Sequence, residues 1–323
     1  MDKANDVVLS QSPPSYEEDE IDIRELLFLL WKGRWILVVS SLLATLLSVY
    51  VAIKQPDIYR AEALLAPVSA EESGALSGLA SQYGGLASLA GINVGSLNGG
   101  VNKTELGIEV LQSRQFLGEF IYRHELLVPL MAANDWKSAT NELEFDAAIY
   151  DFETEEWVRE PNPPRKSLPS LLEASQQFRE IMSISQNSDT GFVSVSIEHY
   201  SPYIAKQWVD WLVEDINSEM KSQDVLEAEK SIRYVQDQLS ATRLSELRTI
   251  FYQLIEEQTK TIMLANARPE YIFQTIDPAI VAETSVRPKR VVICFIGIIL
   301  GLFCGVLLVF VRHFLTVMSK PVR

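Results

Sequence analysis

The apolar positions along this chain are bunched rather than spread. Residues 35–53 and 291–311 contain no Asp, Glu, Lys or Arg. An α-helix rises about 1.5 Å per residue, so runs of this length reach roughly 28–32 Å, the depth of a bilayer's hydrocarbon core. Both runs predict membrane-spanning helices. Trp31, Lys32, Arg34 and Trp35 lead into the first, and Pro288, Lys289 and Arg290 into the second. Such aromatic and basic side chains suit the headgroup layer. The first run is longer than the apolar stretch of a cleaved signal and follows an acidic head, so it predicts an uncleaved anchor.

Small residues recur every four positions in both runs. They are Ser40, Ala44, Ser48 and Ala52 in the first, and Gly297, Gly301 and Gly305 in the second. Each row lies on one helix face and predicts close helix packing, within one subunit or between subunits. Ahead of the first run, IDIRELLFLLW places Ile23, Leu26, Leu27, Leu30 and Trp31 on one face, predicting a short interfacial helix.

Between the spans the periodicity shortens and then lengthens. YRAEALLAPV at 59–68 reads as a strand, and GFVSVSIE at 191–198 alternates as a half-buried strand should, with a looser alternation at 181–185. YIFQTI at 271–276 predicts a returning strand. Residues 105–124 carry one helical face through Leu106, Val110, Leu111, Leu117, Phe120 and Ile121. Residues 150–170 predict an acidic connector with Pro161, Pro163, Pro164 and Pro169. Residues 74–100 hold 8 of the 15 glycines and lack the G-K-[ST] of a phosphate-binding loop. Two readings stay open for them, a mobile loop or a small-residue surface near the membrane or inside an assembly.

Ser201-Pro202 opens a helix, and residues 203–268 contain neither Pro nor Gly. One straight helix over them would measure about 99 Å. About 24 residues would then remain to reach the second span, covering at most some 80 Å. A helical hairpin resolves this, with its turn near Ser240-Ala241-Thr242. Its seam is predicted to include Leu212, Ile216, Ile232, Val235 and Leu239 on one arm and Leu247, Phe251 and Leu254 on the other.

Charge and chemistry narrow the function classes. The 323 residues carry a net charge of −15. An acidic chain without a basic cluster lacks the means to neutralise phosphates, so no nucleic acid is expected as a partner. Cys294 and Cys304 both lie inside the second run, which excludes a disulfide scaffold. His124, His199 and His313 stand apart, and no H-x-x-x-H, C-x-x-C or G-x-S-x-G occurs. No catalytic constellation, metal site or cofactor is expected. Basic residues flank both ends of each span, so charge alone does not orient the chain.

Several blocks together resemble the Wzz family of chain length determinant proteins, the polysaccharide co-polymerases of bacterial inner membranes. They are IDIRELLFLLWKGRW entering the first span, YRAEALLAP after it, GGLASLAGI, VSIEHYSPYIAKQWVDWLVEDIN, LIEEQTKTIMLANARPEYIFQTIDPA, and VRPKR before the second span. Ala282 stands where the family often has a proline, while Pro278 and Pro288 remain. The resemblance implies an α+β membrane protein with two transmembrane helices enclosing a periplasmic α/β base near the membrane and a long helical hairpin above it. It also implies cytoplasmic termini, a ring-shaped homo-oligomer in the inner-membrane lipid, and a non-catalytic role. That role is setting the modal length of O-antigen lipopolysaccharide, or a related surface polysaccharide, made by a Wzy-type polymerase on undecaprenyl diphosphate.

On this reading residues 1–34 form a cytoplasmic head, 35–53 and 291–311 the spans, and 54–200 the base. Residues 201–266 form the hairpin, 267–290 the return strand and connector, and 312–323 a cytoplasmic tail. With 12 residues after the second span and no Walker motif, no fused kinase or sensor output domain is expected. The rival role is an adaptor for capsule or exopolysaccharide export that works with a separate tyrosine kinase.

Overall fold

A computed structural model describes Leu29 and residues 31–68, 103–241 and 245–318. The expected head helix, the glycine-rich segment and Thr242 of the expected turn lie outside the described residues. The chain divides into two compact units, one formed by residues 1–55 with 289–323, the other by residues 56–288.

The first unit holds two helices long and apolar enough to cross a membrane. Helix α1 runs Arg34–Lys54 and helix α8 runs Arg290–Met318. The second helix therefore continues seven residues past the expected end of its span, because no Pro or Gly follows Val311 within it. Their apolar side chains point mostly outward, as lipid-facing residues must.

The second unit is built on a four-stranded antiparallel sheet in the order β6-β7-β1-β8. The strands are β1 (Tyr59–Pro67), β6 (Met182–Gln186), β7 (Val193–His199) and β8 (Phe273–Asp277). Alternation decides its faces. Ala61, Ala63, Leu65, Val193, Val195 and Ile197 are buried on one side. Arg60, Glu62, Ser183 and Ser185 on the other are exposed. Against the apolar face lie α2 (Lys103–Leu111), α3 (Arg114–Arg123), α4 (Leu127–Met131), α5 (Leu171–Ile181) and the start of α6 (Pro202–Ala241). Two small hairpins complete the unit, β2 (Ala133–Lys137) with β3 (Glu142–Phe145), and β4 (Tyr150–Asp151) with β5 (Glu156–Trp157).

The helical face expected over residues 105–124 divides. The chain breaks at Gln112-Ser113, where the Ser113 hydroxyl accepts the Phe116 N–H at 3.1 Å and starts α3 afresh. The new helix turns Phe116, Leu117, Phe120 and Ile121 into the core. In α2 the buried positions are Thr104, Gly107 and Leu111, and Leu106 is exposed. A Cβ on Gly107 would come within 2.8 Å of Ile272 Cδ1 and 3.1 Å of the Phe273 ring, so any larger residue there would require those side chains to shift.

Helices α6 and α7 (Ser245–Ala267) form the hairpin. Residues 202–220 of α6 are part of the base. Leu212 and Ile216 pack in the core with Leu65 and Phe273 rather than in the hairpin seam. The apolar stripe is continuous, but the sheet covers its first half and α7 covers only the remainder. In that remainder Ile232, Val235, Leu239 and Phe251 are half-buried. Leu254 is 40% exposed, while its neighbour Ile255 is half-buried. A residue turns about 100° per step, which puts Leu254 roughly 60° off the line through Phe251, Gln258 and Ala265.

Candidate membrane and assembly surfaces

The two spanning helices run antiparallel with their small residues face to face. Gly297 meets Ser48, where an added Cβ would lie 2.5 Å from the Ser48 Cβ. At Gly301 a Cβ would lie 2.7 Å from both the Ala44 Cβ and the Ser41 Cα. At Gly305 it would lie 3.1 Å from the Leu37 Cα and would also strike the Ser40 hydroxyl. Ser40 Oγ donates across the pair to the Gly301 carbonyl at 3.0 Å. Ala52 is buried at the other end of the row. Gly33 adds a fourth close approach, since a Cβ there would lie 2.8 Å from Val309 Cγ1. The small residues of the two rows thus oppose one another inside a single chain.

The residues expected at the membrane interface are exposed or half-exposed. Trp31, Lys32, Arg34, Trp35, Lys289 and Arg290 are exposed, and Pro288 is half-exposed. The Arg34 guanidinium sits 5.7 Å from the Trp31 ring, and the Lys54 ammonium 6.0 Å from that of Tyr50. The Lys289 carbonyl accepts the Val292 N–H at 2.9 Å and starts α8.

In the second unit the root of the hairpin is locked by side chains that no local pattern announces. Asn217, from the middle of α6, accepts the N–H groups of Tyr271, Ile272 and Phe273 on Oδ1 at 3.0, 2.8 and 3.0 Å. Its Nδ2 donates to the Phe273 and Val213 carbonyls, both at 3.0 Å. The one available signal is an Asn inside a 40-residue helix, where its propensity is poor. Beside it Asp224 accepts the Tyr271 hydroxyl at 2.5 Å and the Lys103 ammonium at 2.6 Å. Burial and that carboxylate push the Tyr271 phenol well above its ordinary pKa.

Other polar groups also have structural partners. His199, at the end of β7, donates from Nε2 to the Pro129 carbonyl at 3.2 Å and accepts the Ser201 N–H on Nδ1 at 3.1 Å. Burial pulls its pKa down to about 4, so the ring is neutral. His124 Nε2 and the Arg123 guanidinium both meet Asp215 at 3.0 Å, and His124 stacks on Trp211. Arg159 closes the proline-rich connector onto α5 through a two-pronged pair with Glu173 at 2.5 and 2.8 Å. Glu198 joins the cations Arg60 and Arg287. Among the described residues no group of three or more His, Cys, Asp or Glu side chains is placed to hold a metal ion. These contacts hold helices and strands of the chain together.

Residues 19–124 match the family model for Wzz, chain length determinant protein. Residues 236–314 match the model for GNVR, a G-rich domain on putative tyrosine kinase. Two solved structures are similar to the chain. One is a full-length bacterial polysaccharide co-polymerase, at 12% identity over 93% of this chain and 100% of that one, with a TM-score of 0.40. The other is a fragment of WzzB, a polysaccharide co-polymerase from Salmonella Typhimurium, at 11% identity over 72% of this chain and 100% of that one, with a TM-score of 0.29. Comparison with curated proteins gave no match.

Proposed function

We propose that this chain, which carries a Wzz chain length determinant domain over residues 19–124 and a GNVR domain over residues 236–314, sets the modal length of a bacterial surface polysaccharide. The polymer is O-antigen lipopolysaccharide or a relative, made by a Wzy-type polymerase on undecaprenyl diphosphate. The chain acts as a non-catalytic scaffold, a ring of like subunits in the inner membrane. Its hairpin-bearing unit, residues 56–288, stands in the periplasm. The observation that carries this reading is the Wzz match, which takes in the first spanning helix and the first strand of the base. Two antiparallel spans with interlocked small residues support a fixed anchor in the membrane.

Deleting the gene tests the role. The surface polysaccharide should lose its modal length on a gel and still be polymerised. Complete loss of polymer would instead indicate a polymerase or exporter. Mass measurement of the detergent-purified complex tests the ring, and a monomer would overturn it.

A second reading is favoured by the GNVR match, whose description names a putative tyrosine kinase. Under it the chain serves capsule or exopolysaccharide polymerisation and export beside a separate kinase. Loss of secreted polysaccharide with an unchanged lipopolysaccharide ladder would select this reading.

A further inference from the structure

Residues 133–157 differ in composition from the rest of the chain. Five of these 25 residues are aromatic, Trp136, Phe145, Tyr150, Phe152 and Trp157, against 9% of the whole chain. Eight are acidic, and Lys137 is the one basic residue among them. The small hairpins β2–β3 and β4–β5 carry them. Hairpins of this size cannot build a core of their own, so their rings pack on one another. Tyr150 is buried, and its ring meets Trp157 edge-on at 5.1 Å and Phe145 at 6.4 Å. Phe145 and Trp157 are half-buried. Phe152 lies flat on Phe145, with centroids 5.5 Å apart and planes 9° from parallel. It nevertheless remains 69% exposed.

Phe152 is therefore an exposed ring with a fixed orientation. Phe145 takes one of its faces, and the other is open to water. The turn that carries it is pinned by the Asp151 carboxylate, which accepts the Glu153 N–H at 2.9 Å. A surface ordered in advance loses less entropy when a partner arrives. The face of an aromatic ring is the negative part of its quadrupole. A pyranose ring matches it with a flat patch of positively polarised C–H bonds, bordered by hydroxyl donors. Glu153 and Glu155, exposed on the same turn, are acceptors for such hydroxyls. Charge selects among occupants. The acidity of these hairpins opposes a phosphate or carboxylate ligand, and it equally opposes the same hairpins of a second copy.

We propose that the Phe145–Phe152 stack is a docking platform for an uncharged pyranose unit of a polysaccharide. Phe152 is its stacking face, and Glu153 and Glu155 accept the sugar hydroxyls. The inference rests on the function proposed above, which supplies the polymer.

The test uses the full chain in a detergent without a sugar headgroup. The probe is the polysaccharide released by mild acid from the strain that carries the gene. Saturation-transfer NMR should show transfer to the C–H protons of a pyranose ring, and titration gives the affinity. Phe152→Ala should weaken binding about five- to tenfold. Phe152→Leu keeps an apolar cover over Phe145 without a flat ring, so it should lose as much, while Phe152→Tyr should bind as the parent does. Tyr234→Ala, which removes another exposed ring on α6, should change nothing. No binding by the parent chain, or parental affinity in both Phe152→Ala and Phe152→Leu, would overturn the inference. So would binding of oligolysine in place of the polysaccharide, which would assign the hairpins to a basic peptide. Gene deletion keeps the two readings apart. A lost modal length with unaltered binding by the Phe152 variants sinks the platform and leaves the proposed function standing. An unchanged modal length sinks the function, and the affinities then decide the platform by themselves.

Discussion

Asn217 and Phe273 grip each other by two hydrogen bonds. Asn217 Nδ2 donates to the Phe273 carbonyl, and the Phe273 N–H donates back to Asn217 Oδ1, each at 3.0 Å. The first residue of β8 is thereby tied to the middle of α6, 56 residues earlier in the chain. The clasp sits at the root of the hairpin, where the chain returns from α7 to the sheet. Asn217→Ala would orphan three N–H groups and a carbonyl in a site that is almost closed to water. An unsatisfied buried group costs about 1–3 kcal/mol, and local relaxation recovers part of the sum. A loss of about 2–4 kcal/mol is expected from chemical unfolding of the detergent-solubilised chain.

Leu212 and Leu254 belong to one apolar pattern and should respond differently. Leu212 is fully buried in the core of the base, and Leu254 is exposed on α7. Leu212→Ala should cost about 2–5 kcal/mol, because it removes buried contacts and leaves a cavity. Leu254→Ala should stay within about 1 kcal/mol in the dispersed chain. Equal losses would place both residues in the same seam.

Gly301→Leu should separate the spanning helices, since the first added carbon already lies 2.7 Å from Ala44. Gly33→Cys with Val309→Cys offers a reporter, because a Cβ at 33 would lie 3.3 Å from the Val309 Cβ. In a chain with Cys294→Ser and Cys304→Ser this pair should cross-link within one subunit. Adding Gly301→Leu should lower the yield while membrane insertion is retained. An unchanged yield would show that the interlock is dispensable.

His199 makes stability depend on pH in a definite direction. Its pKa falls from an ordinary 6.5 to about 4 on folding, so between these values the unfolded chain binds the extra proton. The stabilisation is whole above pH 6.5, declines as pH falls, and is gone below about 4. His199→Gln keeps a donor for Pro129 and does not titrate there. It should flatten the fall in melting temperature across this window.

Glu173 acts in the same sense at lower pH. The Arg159 guanidinium holds its carboxyl below the ordinary carboxylate range. The pair's stabilisation is present above about pH 4.3, the ordinary carboxyl value, and is lost as pH falls through the lowered folded value. Protease cleavage at Arg165 or Lys166 should rise as the pair is protonated, and Glu173→Gln should show the raised cleavage at neutral pH.

Much of this architecture is legible in the residues alone. The two spans follow from length and from the absence of charge. Strands β1 and β7 follow from alternation, and the long helices from 66 positions without Pro or Gly. These signals are local, because a helix or strand buries one face whatever covers it. The facing of Gly297 with Ser48 and of Gly301 with Ala44 needed the two rows and their antiparallel order, and rows alone leave open whether the partner is the same chain.

Tertiary structure decided what covers each face. Leu212 and Leu239 lie on one stripe, yet the first is buried in the core with the sheet and the second is half-buried on the arm beyond it. Ser113 broke a face that periodicity carried through, because a hydroxyl that caps a new helix outweighs two more residues of the old one. Asn217 with Phe273, Lys103 with Asp224, and Arg159 with Glu173 join positions 56, 121 and 14 residues apart. A hydrogen bond depends on where two groups meet in space, so separations of this kind leave no periodic trace. The residues by themselves determine which elements form and which faces avoid water. The fold determines which faces meet, and with them where the base ends, where the hairpin begins and which side chains hold the two together.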